Sequence, residues 1–165
     1  MKITTALAST LLASICACGG DSGQSWPDAF SAIDAGGQAK AAGDNSTAVI
    51  AYRFAAENAA GNQQVLCSAL LGLGEAQCKD DPEAAISAFN RAATDGGSAY
   101  NFAASQRVID AWLNAGVVEL AEAAIEDAAT RFAADADKLD VQRKALAAVK
   151  SGDTEALSAL GYVGD

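Results

Sequence analysis

The chain contains four cysteines and no histidine. Lack of histidine removes the commonest general base and the commonest metal ligand together. Serine and cysteine nucleophiles are then without their usual activator. Lys40, Lys79, Lys138, Lys144 and Lys150 have no serine motif nearby, and Ser151 is only the immediate neighbour of Lys150. Adjacent positions on a helix do not face each other. Asp80, Asp81 and Glu83 flank Pro82, a pattern that suits a turn and a helix cap better than a calcium site. No glycine-rich phosphate loop follows a strand. These residues predict no catalytic site, no metal and no cofactor, so the chain is not expected to be an enzyme.

The first two cysteines lie in a different context. Met1-Lys2 is a short basic start, and Ile3 to Ala17 is uncharged and rich in alanine, leucine and threonine. About 15 residues at 1.5 Å rise are too few to span a bilayer core of roughly 30 Å, but they match the apolar region of a signal peptide. The segment closes on Ile15-Cys16-Ala17-Cys18, which resembles the lipobox of bacterial lipoprotein precursors. The resemblance implies cleavage before Cys18 and lipid attached to its thiol. Gly19 in the next position implies delivery to the outer membrane of a Gram-negative envelope. Several acyl chains on one cysteine meet the requirement that stable anchoring takes more than one chain. The expected organisation is a signal peptide over 1–17, a glycine- and serine-rich tether over 18–26 and a folded domain over 27–165.

The other two cysteines share one helical face. Cys67 and Cys78 are eleven residues apart, almost three turns and about 16 Å along a continuous helix. A disulfide tolerates roughly 7 Å between Cα atoms. If 63–78 is one helix, both thiols are free and serve as small buried apolar groups.

The elements that must position these residues are helical. Half of the residues are apolar, many of them alanine, and there are only two prolines. Such a composition favours helices that approach closely over strands. The net charge of −10 disfavours nucleic acid as a partner. Pro27 suits the first turn of a helix. Asn45-Ser46-Thr47 offers caps for a helix through Glu57, and further helices are expected over 63–78, 82–93, 99–115, 117–132, 138–150 and 154–160. A repeat runs through them. Ala48, Ala85 and Ala121 recur at 37 and then 36 residues, as do Tyr52, Phe89 and Ile125, and Ala55, Ala92 and Ala128.

This pattern of a small residue, a large apolar residue four on and alanine three further resembles the second helix of the tetratricopeptide repeat. Leu70, Leu73 and Gly74 match first-helix positions in the middle copy, and Gly36 matches in the first. Gly43 and Gly116 fit the turn inside a repeat. Gln77 stands where the family has an aromatic residue, Ser105 where it has a large one, and no proline closes a copy. The resemblance implies an all-α fold: a short array of antiparallel helix pairs over about 27–135, with residues 136–165 as capping helices that use Leu157, Leu160, Tyr162 and Val163. First-helix side chains line the concave face in that family. Register carries this to Ser68, Leu71 and Glu75 in the middle copy and to Gln106, Asp110 and Leu113 in the third. Glu75 and Asp110 then add negative charge, so a basic or neutral protein segment is the expected partner. The expected function is a lipid-anchored envelope scaffold for protein–protein interaction. The alternatives are a structural lipoprotein without a specific partner and an accessory subunit of an envelope enzyme.

Overall fold

A computed structural model describes residues 25–162. The signal segment, Cys18, most of the tether and Val163 lie outside the described residues. The described chain folds into eight α-helices: α1 (Ala29–Ala41), α2 (Asn45–Glu57), α3 (Gln63–Gln77), α4 (Pro82–Asp95), α5 (Phe102–Ala115), α6 (Val118–Arg131), α7 (Asp140–Ser151) and α8 (Thr154–Ala159). Short 3-10 segments over Gly97–Ala99 and Ala133–Leu139 precede α5 and α7. Among the described residues there is no strand. No described helix is long and apolar enough to cross a membrane.

Most starts are set by Asp or Asn caps. Asp28, Asp44, Asn62, Asp81, Asn101 and Asp153 each accept a hydrogen bond from a backbone N–H two or three residues on. This satisfies donors that the first turn leaves without intrahelical partners. The caps also explain where the observed starts depart from expectation. Asp28 takes the cap of α1, so Pro27 precedes the helix instead of opening it. Asp44 caps α2 ahead of Asn45-Ser46-Thr47, and the Ser46 hydroxyl donates back to it. Asn101 delays α5 to Phe102, and the 3-10 turn over 133–139 delays α7 to Asp140.

The helices pack in neighbouring pairs. α1 lies against α2, α3 against α4, α5 against α6 and α7 against α8. The first members of the pairs also meet in sequence: α1 with α3, α3 with α5 and α5 with α7. Gly43, Gly116 and Gly152 turn the chain inside three of the pairs with φ of 77°, 72° and 71°, a left-handed conformation that glycine adopts without a Cβ penalty.

All nine repeat positions are buried. The six alanines at 48, 55, 85, 92, 121 and 128 are 0% exposed, and Tyr52, Phe89 and Ile125 are 5–6% exposed. The aromatics need their space cleared. A Cβ at Gly36 would sit 2.9 Å from the Tyr52 ring, and one at Gly72 closer still, so the ring lies in a bed formed by α1 and α3. Gly74 leaves the same room for Phe89. The largest apolar cluster then runs from α3 to the C-terminal helices through Leu70, Phe89, Ile109, Trp112, Leu139 and Leu146. Leu157, Leu160 and Tyr162 pack on its end, the capping role expected of them.

Ser105 is buried and donates its hydroxyl to the Phe102 carbonyl at 2.7 Å. That bond explains how a small polar residue is tolerated at a buried position. Gln77 is buried with Oε1 unpartnered, and nothing in its surroundings accounts for it.

Candidate functional site

The groove between α3 and α5 collects the polar chemistry of the first helices. One end is a cleft of about 480 Å³ with Gln63, Ser68, Leu71, Ser98, Asn101 and Arg107 among its walls. The other, about 540 Å³, has Lys40, Glu75, Cys78, Lys79, Arg107 and Asn114 among its walls. Arg107 lies in both. The first end is rich in amides and hydroxyls with Arg107 as its one charge, while the second carries three cations and one anion.

Glu75 is the centre of that second cleft. Arg107 Nη2 and Nε donate to Glu75 Oε1 at 2.6 and 2.8 Å, and Lys40 Nζ donates to Oε2. The carboxylate is only 12% exposed, whereas the Lys40 and Arg107 side chains are 39% and 45% exposed. One acid therefore joins α1, α3 and α5, and the cations keep an open side toward solvent. Lys79 forms no ion pair among the described residues and is exposed.

The two thiols meet this groove from below. Cys67 and Cys78 are buried and free on one continuous helical segment, as their spacing predicts. Burial raises the Cys67 thiol above its ordinary range, opposed by Arg107. Burial, and then the Glu75 charge, push Cys78 up to about 12, against a smaller pull from Lys40. Both are thiols at neutral pH, and the thiolate is the nucleophilic form. The arrangement suits binding by charge and hydrogen bonding.

Of the residues expected to line a groove, Ser68, Leu71 and Glu75 of α3 do so. In α5 the register slips. Gln106 is half-buried and Leu113 is buried, and neither lines the two clefts. Their neighbours Arg107 and Asn114 line them instead. Asp110 also lies away from the groove, toward the C-terminal cap. The Tyr162 hydroxyl donates to Asp110 Oδ1, and Gln142 Nε2 donates to the same oxygen at 3.3 Å. Burial, then this bond and the Asp110 charge, raise the Tyr162 phenol. Asp110 thus fastens the cap to α5, and Glu75 is neutralised by two cations. The negative groove expected from those two acids is replaced by a basic one.

The residues missed had a signal. Between second helices the later step is 36 residues, from Ala85 to Ala121. Applied to α3, that step takes Ser68 to Ala104, Leu71 to Arg107, Glu75 to Ala111 and Cys78 to Asn114, all of which line a cleft. Lys40 and Lys79 sit at helix ends and had no such signal.

No protein-family model, curated protein or solved structure matches this chain. The class that the coordinates define is therefore a structural one: an all-α domain of paired helices with a groove along its first helices.

Proposed function

We propose that the chain is a lipid-anchored envelope scaffold whose tetratricopeptide-like helical array holds a segment of another protein in the α3/α5 groove. The observation that carries the reading is the single 36-residue register. That step relates buried positions of α4 to α6 and groove positions of α3 to α5. A helix pair repeated at one step, with matching first-helix positions along the clefts, builds an extended surface of the kind repeat arrays use for binding. Cys18 supplies the membrane attachment, in the outer membrane of a Gram-negative cell, and the residues up to about 26 form the tether.

Two experiments test the two halves. Cys18→Ser is expected to release the protein from membranes or to leave it unprocessed. A processed form that still behaves as a lipid-anchored membrane protein would remove the anchor from the account. A photo-crosslinking residue at Ser68 or Asn114 in intact cells is expected to trap a specific partner, while one at Arg53, exposed on α2, is not. Equal labelling at all three sites would sink the groove reading.

A further inference from the structure

We infer that the basic end of the groove receives an acidic internal segment of the partner, with one or two Asp or Glu side chains seated against Lys40, Lys79 and Arg107. The inference rests on the groove being a partner site and adds the partner's chemistry. Its first support is charge. In a chain of net charge −10, this cleft gathers three cations around one acid. Glu75 is the most buried member of the cluster and is fully engaged, with each of its oxygens accepting from a cation. Lys79 is left without an ion-pair partner among the described residues, and Arg107 turns an open side to solvent. Asp80 and Asp81 follow Lys79 in sequence but do not line the cleft, and Asp81 is committed to capping α4 through the Ala84 N–H. An incoming carboxylate completes an alternating arrangement of charges in which both Glu75 and the ligand face shared cations.

The second support is continuity. Arg107 walls both clefts, so the basic end runs on past it into the amide- and hydroxyl-rich end with Gln63, Ser68 and Asn101. A groove that continues beyond the cations fits a chain passing through, with acidic side chains at one end and backbone groups meeting amides and hydroxyls at the other. Asn114 stands at the basic end as a neutral donor for the same carboxylate.

The test uses the full-length purified protein and a fluorescent hexaglutamate peptide with acetylated and amidated ends, followed by anisotropy. Binding is expected, with loss of affinity as salt rises from about 50 to about 300 mM, because charges at an open cleft are screened over roughly 10 Å. Lys79→Glu is expected to weaken it about tenfold, the equivalent of about 1.4 kcal/mol. Lys79 is exposed and unpaired, so this variant keeps the fold. Lys144→Glu makes the same charge change away from the cleft and is expected to leave affinity unchanged. No binding of hexaglutamate, equal binding by Lys79→Glu, or tighter binding of blocked hexalysine overturns the inference. A peptide of glycine with a free terminal carboxylate that binds as well as blocked hexaglutamate overturns the assignment to side chains. The scaffold reading fails separately: if the partner trapped at Ser68 is still trapped in Lys79→Glu, the scaffold stands and the acidic partner does not.

Discussion

The first and second helix pairs join differently from the second and third. α2 lies along α3 as closely as it lies along α1, across a seam of Ala55, Ala59, Val65 and Ala69, with Tyr52 let into Gly72. The α4 and α5 backbones stand apart. Phe89 and Trp112 meet between them edge to face, with ring centroids 5.5 Å apart. The longer link through Gly97–Ala99 leaves a gap of about 280 Å³ walled by Ile86, Phe89, Trp112 and Leu120 among others. Alanine and glycine let backbones approach until side-chain volume is nearly absent, so the seam has no slack. Aromatic rings fill more area but hold helices off and leave voids between their edges. Two junctions of one repeat can thus be built from opposite solutions to the same packing problem.

The comparison breaks most sharply at Gly72. Gly72→Leu is expected to destabilise the protein by about 3 kcal/mol, at the upper end of overpacking costs, because the Tyr52 ring has no second place to go. Urea or thermal unfolding measures it. A midpoint that does not move would mean that the tight seam yields as the open one does, and the contrast would be lost.

Over the range up to about pH 10 a smaller effect is expected at Cys78, where α3 closes on the cluster that spans the open side. A thiol with a native pKa raised to about 12 and an ordinary unfolded value of about 8.5 favours the folded state only while the unfolded thiol is protonated. Stability is then fully present below about pH 8.5 and falls as pH rises from there toward about 12, since the unfolded state releases its proton first. Cys78→Val is expected to flatten that part of the stability–pH curve relative to the parent. An unchanged slope would show that Cys78 is solvated in the folded state.

The smallest expected effect is at the open junction itself. Ala124 lines the gap, and Ala124→Leu is expected to change stability by less than about 1 kcal/mol, in the stabilising direction, by filling empty space. A loss as large as that of Gly72→Leu would mean that the gap is not available to side chains and that the two seams are equally close-packed.

Much of this was readable from sequence because it is periodic. Helix spans, the break between Glu57 and Gln63, the nine buried positions and the separate thiols all follow from a 3.6-residue helix repeated about every 36 residues. Ends were less legible. The starts of α1 and α5 depended on which of several polar residues closed the first turn, and that is decided by a single hydrogen bond, while α7, which has no side-chain cap, starts where a 3-10 turn ends. The groove was legible on α3, where Ser68, Leu71 and Glu75 fell as expected. On α5 a first-helix step of 38 or 39 residues, longer than the 36 shown by the second helices, moved the expectation from Ala104, Arg107 and Ala111 to Gln106, Asp110 and Leu113. The pairing of Glu75 with Lys40 and Arg107 was not legible, since it joins residues 35 and 32 positions apart through the crossing of three helices. The acid on the surface of one helix became the neutralised centre of a basic cleft.

Tyr52 lies against glycines of two different helices, Gly36 on α1 and Gly72 on α3. Three positions spread over 37 residues therefore have to change together or not at all. A methyl gained at either glycine must be answered by a smaller ring position, and that smaller residue then leaves a hole at the other glycine. The first helix pair is for this reason a poor candidate for transplantation or for exchange with a neighbouring copy. It carries half of a fitting whose other half belongs to the pair that follows.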